Sequence, residues 1–124
     1  MINNTKDENF KNLFKVEYIK DGDNKNFPSP GERVTVHYTG QFENGKKFDS
    51  SVDRNQPFQF NVQTGEVIKC WDEVVSRMSL GEKLKVVCPS KLAYGSRGAG
   101  RTIPPNTDIG FEIELLGISR NRKL

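Results

Sequence analysis

Histidine is nearly missing from this chain: His37 is the only one in 124 residues. Cysteine is almost as scarce, with Cys70 and Cys88 alone, so there is no Cys/His cluster at metal-ligand spacing and no metal site is expected. Two cysteines are also too few for a disulfide scaffold. Both fall in apolar patterns, which predicts reduced core thiols in a cytoplasmic protein. Long apolar runs are absent, so neither a signal peptide nor a membrane span is expected. Charge of one sign is missing too: 19 basic residues face 16 acidic ones, a net charge of +3. They alternate through the body of the chain, which argues against nucleic acid as a partner. Arg120, Arg122 and Lys123 read as a short solvated tail over residues 120–124. Hydrophobic residues make up 34% and charged residues 28%, enough for one soluble domain with a core of its own.

What the chain does have is one amphipathic helix among strands. Val67, Ile68, Trp71, Val74, Val75 and Met78 share a helical face, Glu73 and Arg77 lie four apart on the other, and Leu80-Gly81 stops the helix. No Ser, Asp or Asn precedes Val67 as a cap. The first backbone N–H groups are therefore met by the Thr64 side chain, by water or by another molecule. Almost everything else alternates as half-buried strand does: residues 14–18, 33–40, 46–49, 58–62, 83–88 and 109–116. Val34, Val36 and Tyr38 share one face of the second of these, and Asn44-Gly45 marks a hairpin after it. Residues 1–13 are polar and read as a loose arm ahead of a domain over 14–119. The pattern gives an antiparallel α+β domain of five or so strands, its single helix lying across the concave face of the sheet.

Nucleophilic chemistry finds few parts here. His37 is mid-strand and reads as a packed strand residue, and neither cysteine has a histidine nearby in sequence. Asp49, Asp72, Glu73, Glu112 and Glu114 read mostly as surface positions of helix or strand. The glycine-rich loop from Tyr94 to Asn106 opens no helix and lacks a phosphate cradle's spacing, yet loops of this length are usually functional. Aromatics are the notable group: Tyr38, Phe48, Phe58, Phe60, Trp71, Tyr94 and Phe111 come from several elements. Phe60 reads as core. The others suggest an apolar pocket at the start of the helix, floored by Trp71.

Several separate blocks then match a known family at its spacing. They are Val36-His37-Tyr38-Thr39-Gly40, Lys47-Phe48-Asp49-Ser50-Ser51, Glu66-Val67-Ile68-Lys69, Trp71-Asp72-Glu73, Ala93-Tyr94-Gly95, Ile103-Pro104-Pro105-Asn106 and Phe111-Glu112-Ile113-Glu114-Leu115-Leu116. From about Val16 to Ile118 the chain resembles the FKBP-type peptidyl-prolyl isomerases. The resemblance implies a twisted antiparallel half-barrel of five to six strands wrapped around one short helix. It implies a pocket walled by Tyr38, Phe48, Asp49, Phe58, Val67, Ile68, Tyr94, Ile103 and Phe111, with Trp71 as floor and Arg54 ordering Asp49 or the pocket wall. Asp49, Phe48, Tyr94 and Ile68 would act on the substrate, with the Ile68 N–H and the Tyr94 hydroxyl donating to ligand carbonyls. Ligands would be proline-containing peptides and proteins and the macrolides tacrolimus and rapamycin, bound by a monomer without a cofactor.

The chain departs from the family pattern at Cys70 and Val74, where small residues are usual, at Leu92, where an aromatic is common, and at Ala99, Gly100, Arg101 and Thr102. Two readings follow: an isomerase of X–Pro bonds in peptides and folding proteins, or a binding module whose Ser96–Thr102 loop, with Arg97 and Arg101, contacts a protein partner.

Overall fold

In the computed structural model, which describes residues 4–119, six strands form one antiparallel sheet. β1 (Lys15–Lys20), β5 (Lys83–Cys88), β6 (Ile109–Ser119), β2 (Arg33–Gln41) and β3 (Lys47–Ser50) lie side by side in that order, and β4 (Phe58–Asn61) also pairs with β2. Strand β2 is long enough to serve two neighbours on one edge. Its Thr39–Gln41 end pairs with β3 and its Arg33–Val36 end with β4. The chain between β3 and β4 must therefore loop out, beside the concave face.

Alternation decides which face is covered. Val34, Val36 and Tyr38 of β2, Leu84, Val86 and Cys88 of β5, and Ile109, Phe111, Ile113 and Leu115 of β6 are all buried. Their sequence neighbours point to the other face and are partly exposed. Against this concave face lies α2 (Lys69–Val75), contributing Cys70, Trp71, Val74 and Val75. The helix is shorter than its periodicity predicts at both ends. Ile68 is its N-cap in extended conformation (ψ 150°), which frees Val67 and Ile68 from the helix. At the other end, tight turns from Arg77 N–H to Val74 O and Met78 N–H to Val75 O close it. The Glu73–Arg77 pair forms across that end, at 2.9 Å.

Two expectations are corrected. The stretch read as a loose arm carries a helix, α1 (Glu8–Leu13), and its Phe10 is fully buried. Phe10 packs on Phe14 at 5.1 Å, under the Arg77 guanidinium. Upstream, the buried Thr5 hydroxyl donates to the buried Glu82 carboxylate at 2.6 Å, and the Tyr18 hydroxyl donates to Thr5 O. The polar composition hid one aromatic anchor and one buried hydrogen bond. Residues 1–3 and the basic tail at 120–124 lie outside the described residues.

The cysteines are the second correction. They are joined in a disulfide, with Cα atoms 5.7 Å apart and a sequence separation of 18. Each was read from its own apolar stretch, but α2 crossing the end of β5 brings the two within bonding range. With the reduced thiols gone, the ground for expecting a cytoplasmic location goes too.

Candidate functional site

Where α2 begins, the concave face is not covered to its edge. A cavity of ≈ 450 Å³ opens there, lined by Tyr38, Phe48, Asp49, Phe58, Glu66, Val67, Ile68, Trp71, Tyr94 and Phe111. Its floor and walls are aromatic rings set edge to face. Trp71 lies 4.8 Å from Tyr38, 5.2 Å from Phe111 and 5.8 Å from Phe58, with interplanar angles of 69°, 86° and 76°. Phe48 meets Phe111 at 5.9 Å and 78°. Such edge-to-face contacts favour fixed ring angles, which gives the cavity wall a defined shape. Gly40 makes the Phe48–Phe111 contact possible. A Cβ there would lie 2.6 Å from Phe48 and 2.9 Å from Phe111.

One wall is polar. The Tyr38 hydroxyl donates to Asp49 at 2.6 Å, Arg54 donates to the same hydroxyl at 2.9 Å, and a second Arg54 nitrogen pairs with the other Asp49 oxygen. Burial pushes the Asp49 carboxyl up, but the hydrogen bonds from Tyr38 and Arg54 and the Arg54 charge outweigh it, holding the pKa below the usual value. Burial, and then the bond to Asp49, push Tyr38 up. Tyr94 is raised as well, by burial first and then by the nearby Asp49 charge. Both phenols therefore stay protonated well beyond neutral pH.

Facing this wall are two donors without partners among the described residues, the Ile68 N–H and the Tyr94 hydroxyl. Ile68 accepts from Trp71 and Asp72 through its carbonyl, at 3.0 and 3.2 Å, and α2 has no side-chain cap for its first N–H groups. The Trp71 indole N–H is buried and likewise unpaired. Thr64, one candidate for capping the helix, instead turns its hydroxyl to Asn61 O and Glu66.

The structure brings most of the expected site residues together in this cavity. Two stand apart from its wall. Arg54 acts from outside through Asp49 and Tyr38, and Ile103 is 3% exposed within the core beneath the loop. Cys70 and Val74 are fully buried and do not line the cavity. Several contributors escaped sequence reasoning. Glu66 lines the mouth. Asp72, read as helix surface, accepts from Gln63 N–H (2.9 Å) and Gly65 N–H (3.2 Å) and so braces the turn that delivers Ile68. An acid in the first helical turn after a Gly-containing turn was the available signal. Ser51, fully buried, contacts His37 Nδ1 and accepts from Tyr38 N–H, both at 2.8 Å. This locks β2 to the chain after β3 and gives His37 a structural place.

The family model described as FKBP-type peptidyl-prolyl cis-trans isomerase matches residues 24–116. The chain is 52% identical over 101 residues to FK506-binding protein 1 of Kluyveromyces lactis, covering 82% of this chain and 89% of the relative. It is 50% identical over 105 residues to FK506-binding protein 1 of Saccharomyces cerevisiae, covering 85% and 92%. To the Drosophila melanogaster peptidyl-prolyl cis-trans isomerase Fkbp12 it is 50% identical over 100 residues, covering 81% and 93%. An aromatic cavity with one polar wall, and a match across most of the chain, lead to one conclusion: this protein belongs to the FKBP-type peptidyl-prolyl cis-trans isomerases.

Proposed function

We propose that this chain, as a monomer, catalyses rotation about X–Pro bonds in peptides and folding proteins, and that the same cavity binds tacrolimus and rapamycin. The observation that carries the reading is the pair of unpartnered donors, Ile68 N–H and Tyr94 hydroxyl, above a floor of edge-packed rings. An X–Pro amide is held planar by C–N double-bond character and exchanges uncatalysed over roughly tens to hundreds of seconds. The twisted transition state loses that resonance and the charge separation it carries. An aromatic cavity with little water disfavours the planar, more dipolar ground state relative to the twisted one. Donors that meet the carbonyls flanking a twisted amide then bind the transition state selectively. No bond is broken and no proton moves, so the site needs neither base nor cofactor. Asp49, ionised and held by Arg54 and Tyr38, sets the polar wall against which the X–Pro carbonyl turns. Relatives named for binding FK506 support the macrolide half of the proposal.

The single tryptophan offers a direct test, because it lies at the cavity floor. Rapamycin and X–Pro peptides are each expected to shift its emission saturably and to compete with one another. Rapamycin that leaves the emission unchanged and fails to displace peptide would sink the shared cavity. Binding by both ligands with no acceleration of isomerisation would favour the binding-module reading, in which the exposed Arg97 and Arg101 engage a protein partner.

A further inference from the structure

We propose that the Cys70–Cys88 disulfide positions the isomerase site, and that reducing it turns the site down; the inference rests on the function proposed above. Cys70 stands directly before Trp71, the cavity floor, and two positions after Ile68, the backbone donor. Cys88 is the last residue of β5. From it the chain runs through Pro89 and a single 3-10 turn, Ser90–Leu92, to Tyr94, six positions on. The cross-link thus ties the root of the segment bearing one donor to the root of the segment bearing the other.

Neither segment is rigid by itself. Helix α2 has seven residues and no side-chain cap, too short to hold its form without tertiary packing. The Ser90–Leu92 turn is shorter still. Their separation is therefore set by what they are fastened to. Both cysteines are fully buried, so the fastening lies in the core under the cavity. Differential binding of a twisted amide depends on donor placement, and small displacements cost rate.

Reduction by a dithiol such as dithiothreitol is a two-electron exchange. A dithiothreitol thiolate attacks one cysteine sulfur and displaces the other as thiolate, giving a mixed disulfide. The second dithiothreitol thiolate then closes a cyclic disulfide and releases the remaining cysteine, and both cysteines take up protons. Burial makes local opening the prerequisite, so exchange is slower than at an exposed disulfide.

The test compares oxidised wild type, reduced wild type, Cys70→Ala/Cys88→Ala and Phe10→Ala. Each is checked for thiols by intact mass and for folding by circular dichroism at the assay temperature. Phe10 lies away from the cavity, so its variant controls for lost stability alone. The oxidised protein is expected to lack two hydrogens by mass. Reduction and the double variant are each expected to lower kcat/KM by about tenfold, with a parallel loss of rapamycin affinity. Reoxidation restores the reduced wild type and leaves the double variant low, while folded Phe10→Ala keeps wild-type kcat/KM. Free thiols in the oxidised protein, wild-type kcat/KM after reduction, or an equal loss in Phe10→Ala would each overturn the positioning role. An inactive oxidised wild type would instead overturn the proposed function, and the positioning role with it.

Discussion

Asp49 is held charged and in place by two neighbours. Its two oxygens hold Tyr38 and Arg54, so Asp49→Val leaves the phenol without its acceptor and the guanidinium with Tyr38 as its one remaining partner. The pair is about two-fifths exposed, which keeps the stability cost small. Turnover should fall by about tenfold, while circular dichroism stays that of the wild type. Phe48→Tyr should lower turnover too, because the added hydroxyl enters an apolar ring contact with Phe111. Unchanged kcat/KM in both variants would remove Asp49 and Phe48 from the site. The pH dependence follows from the same residues. A carboxylate whose folded pKa is depressed keeps its charge, and its contribution, until pH falls through that lowered value. Tyr94, raised, keeps its donor proton beyond its ordinary range. The pH–rate profile is expected to be flat from about pH 5 to about pH 9. A break near neutrality would point to a titrating catalytic group that the mechanism lacks.

Among the elements, α1 and α2 show where sequence reading stops. The longer strands were legible because period-2 alternation survives in β2, β5 and most of β6: Val34, Val36 and Tyr38 are buried while Thr35, His37 and Thr39 are only partly covered. The short α2 was legible from Trp71, Val74 and Val75, but not its true start, since Val67 and Ile68 fit a helical face and serve the cavity instead. Helix α1 was invisible. It has one buried apolar residue, Phe10, in a polar run, and Arg77 over Phe10 and Glu82 on Thr5 come from distant chain. Phe10→Ala should cost about 3–5 kcal/mol, read as a shift in urea midpoint. Thr5→Val, which strands a buried carboxylate oxygen, should cost about 1–3 kcal/mol. Midpoints equal to the wild type in both would return this segment to a loose arm. The loop after β5 has a similar hidden constraint. Gly98 has φ +68° and stands where a Cβ would lie 2.2 Å from Ile103 O, so Gly98→Ala must displace the loop that carries Tyr94.

For the molecule as a whole, one sheet, two helices and one cross-link share a single hydrophobic cluster. The aromatic part of the cavity was legible in sequence because Tyr38, Phe48, Phe58 and Phe111 fall on separate strands and Trp71 on the one amphipathic helix, while the rest of its wall followed from the family resemblance. What could not be assembled was anything set by two segments meeting: Cys70 with Cys88, Asp72 with the turn at Gly65, Ser51 with Tyr38. Closing an 18-position loop in the unfolded chain should make the oxidised protein more stable than the reduced one by about 3 kcal/mol. Urea unfolding with and without dithiothreitol checks this, and equal midpoints would mean the cross-link is absent or idle.

This cavity is expected to speed X–Pro rotation with neither a nucleophile nor a cofactor. Protease-coupled cis-to-trans isomerisation of an X–Pro peptide, with rapamycin titrated to stoichiometry, tests this. Acceleration should rise in proportion to protein and be lost as rapamycin fills one site per chain. A folded protein that leaves the peptide at its uncatalysed rate, or whose acceleration survives saturating rapamycin, would contradict it.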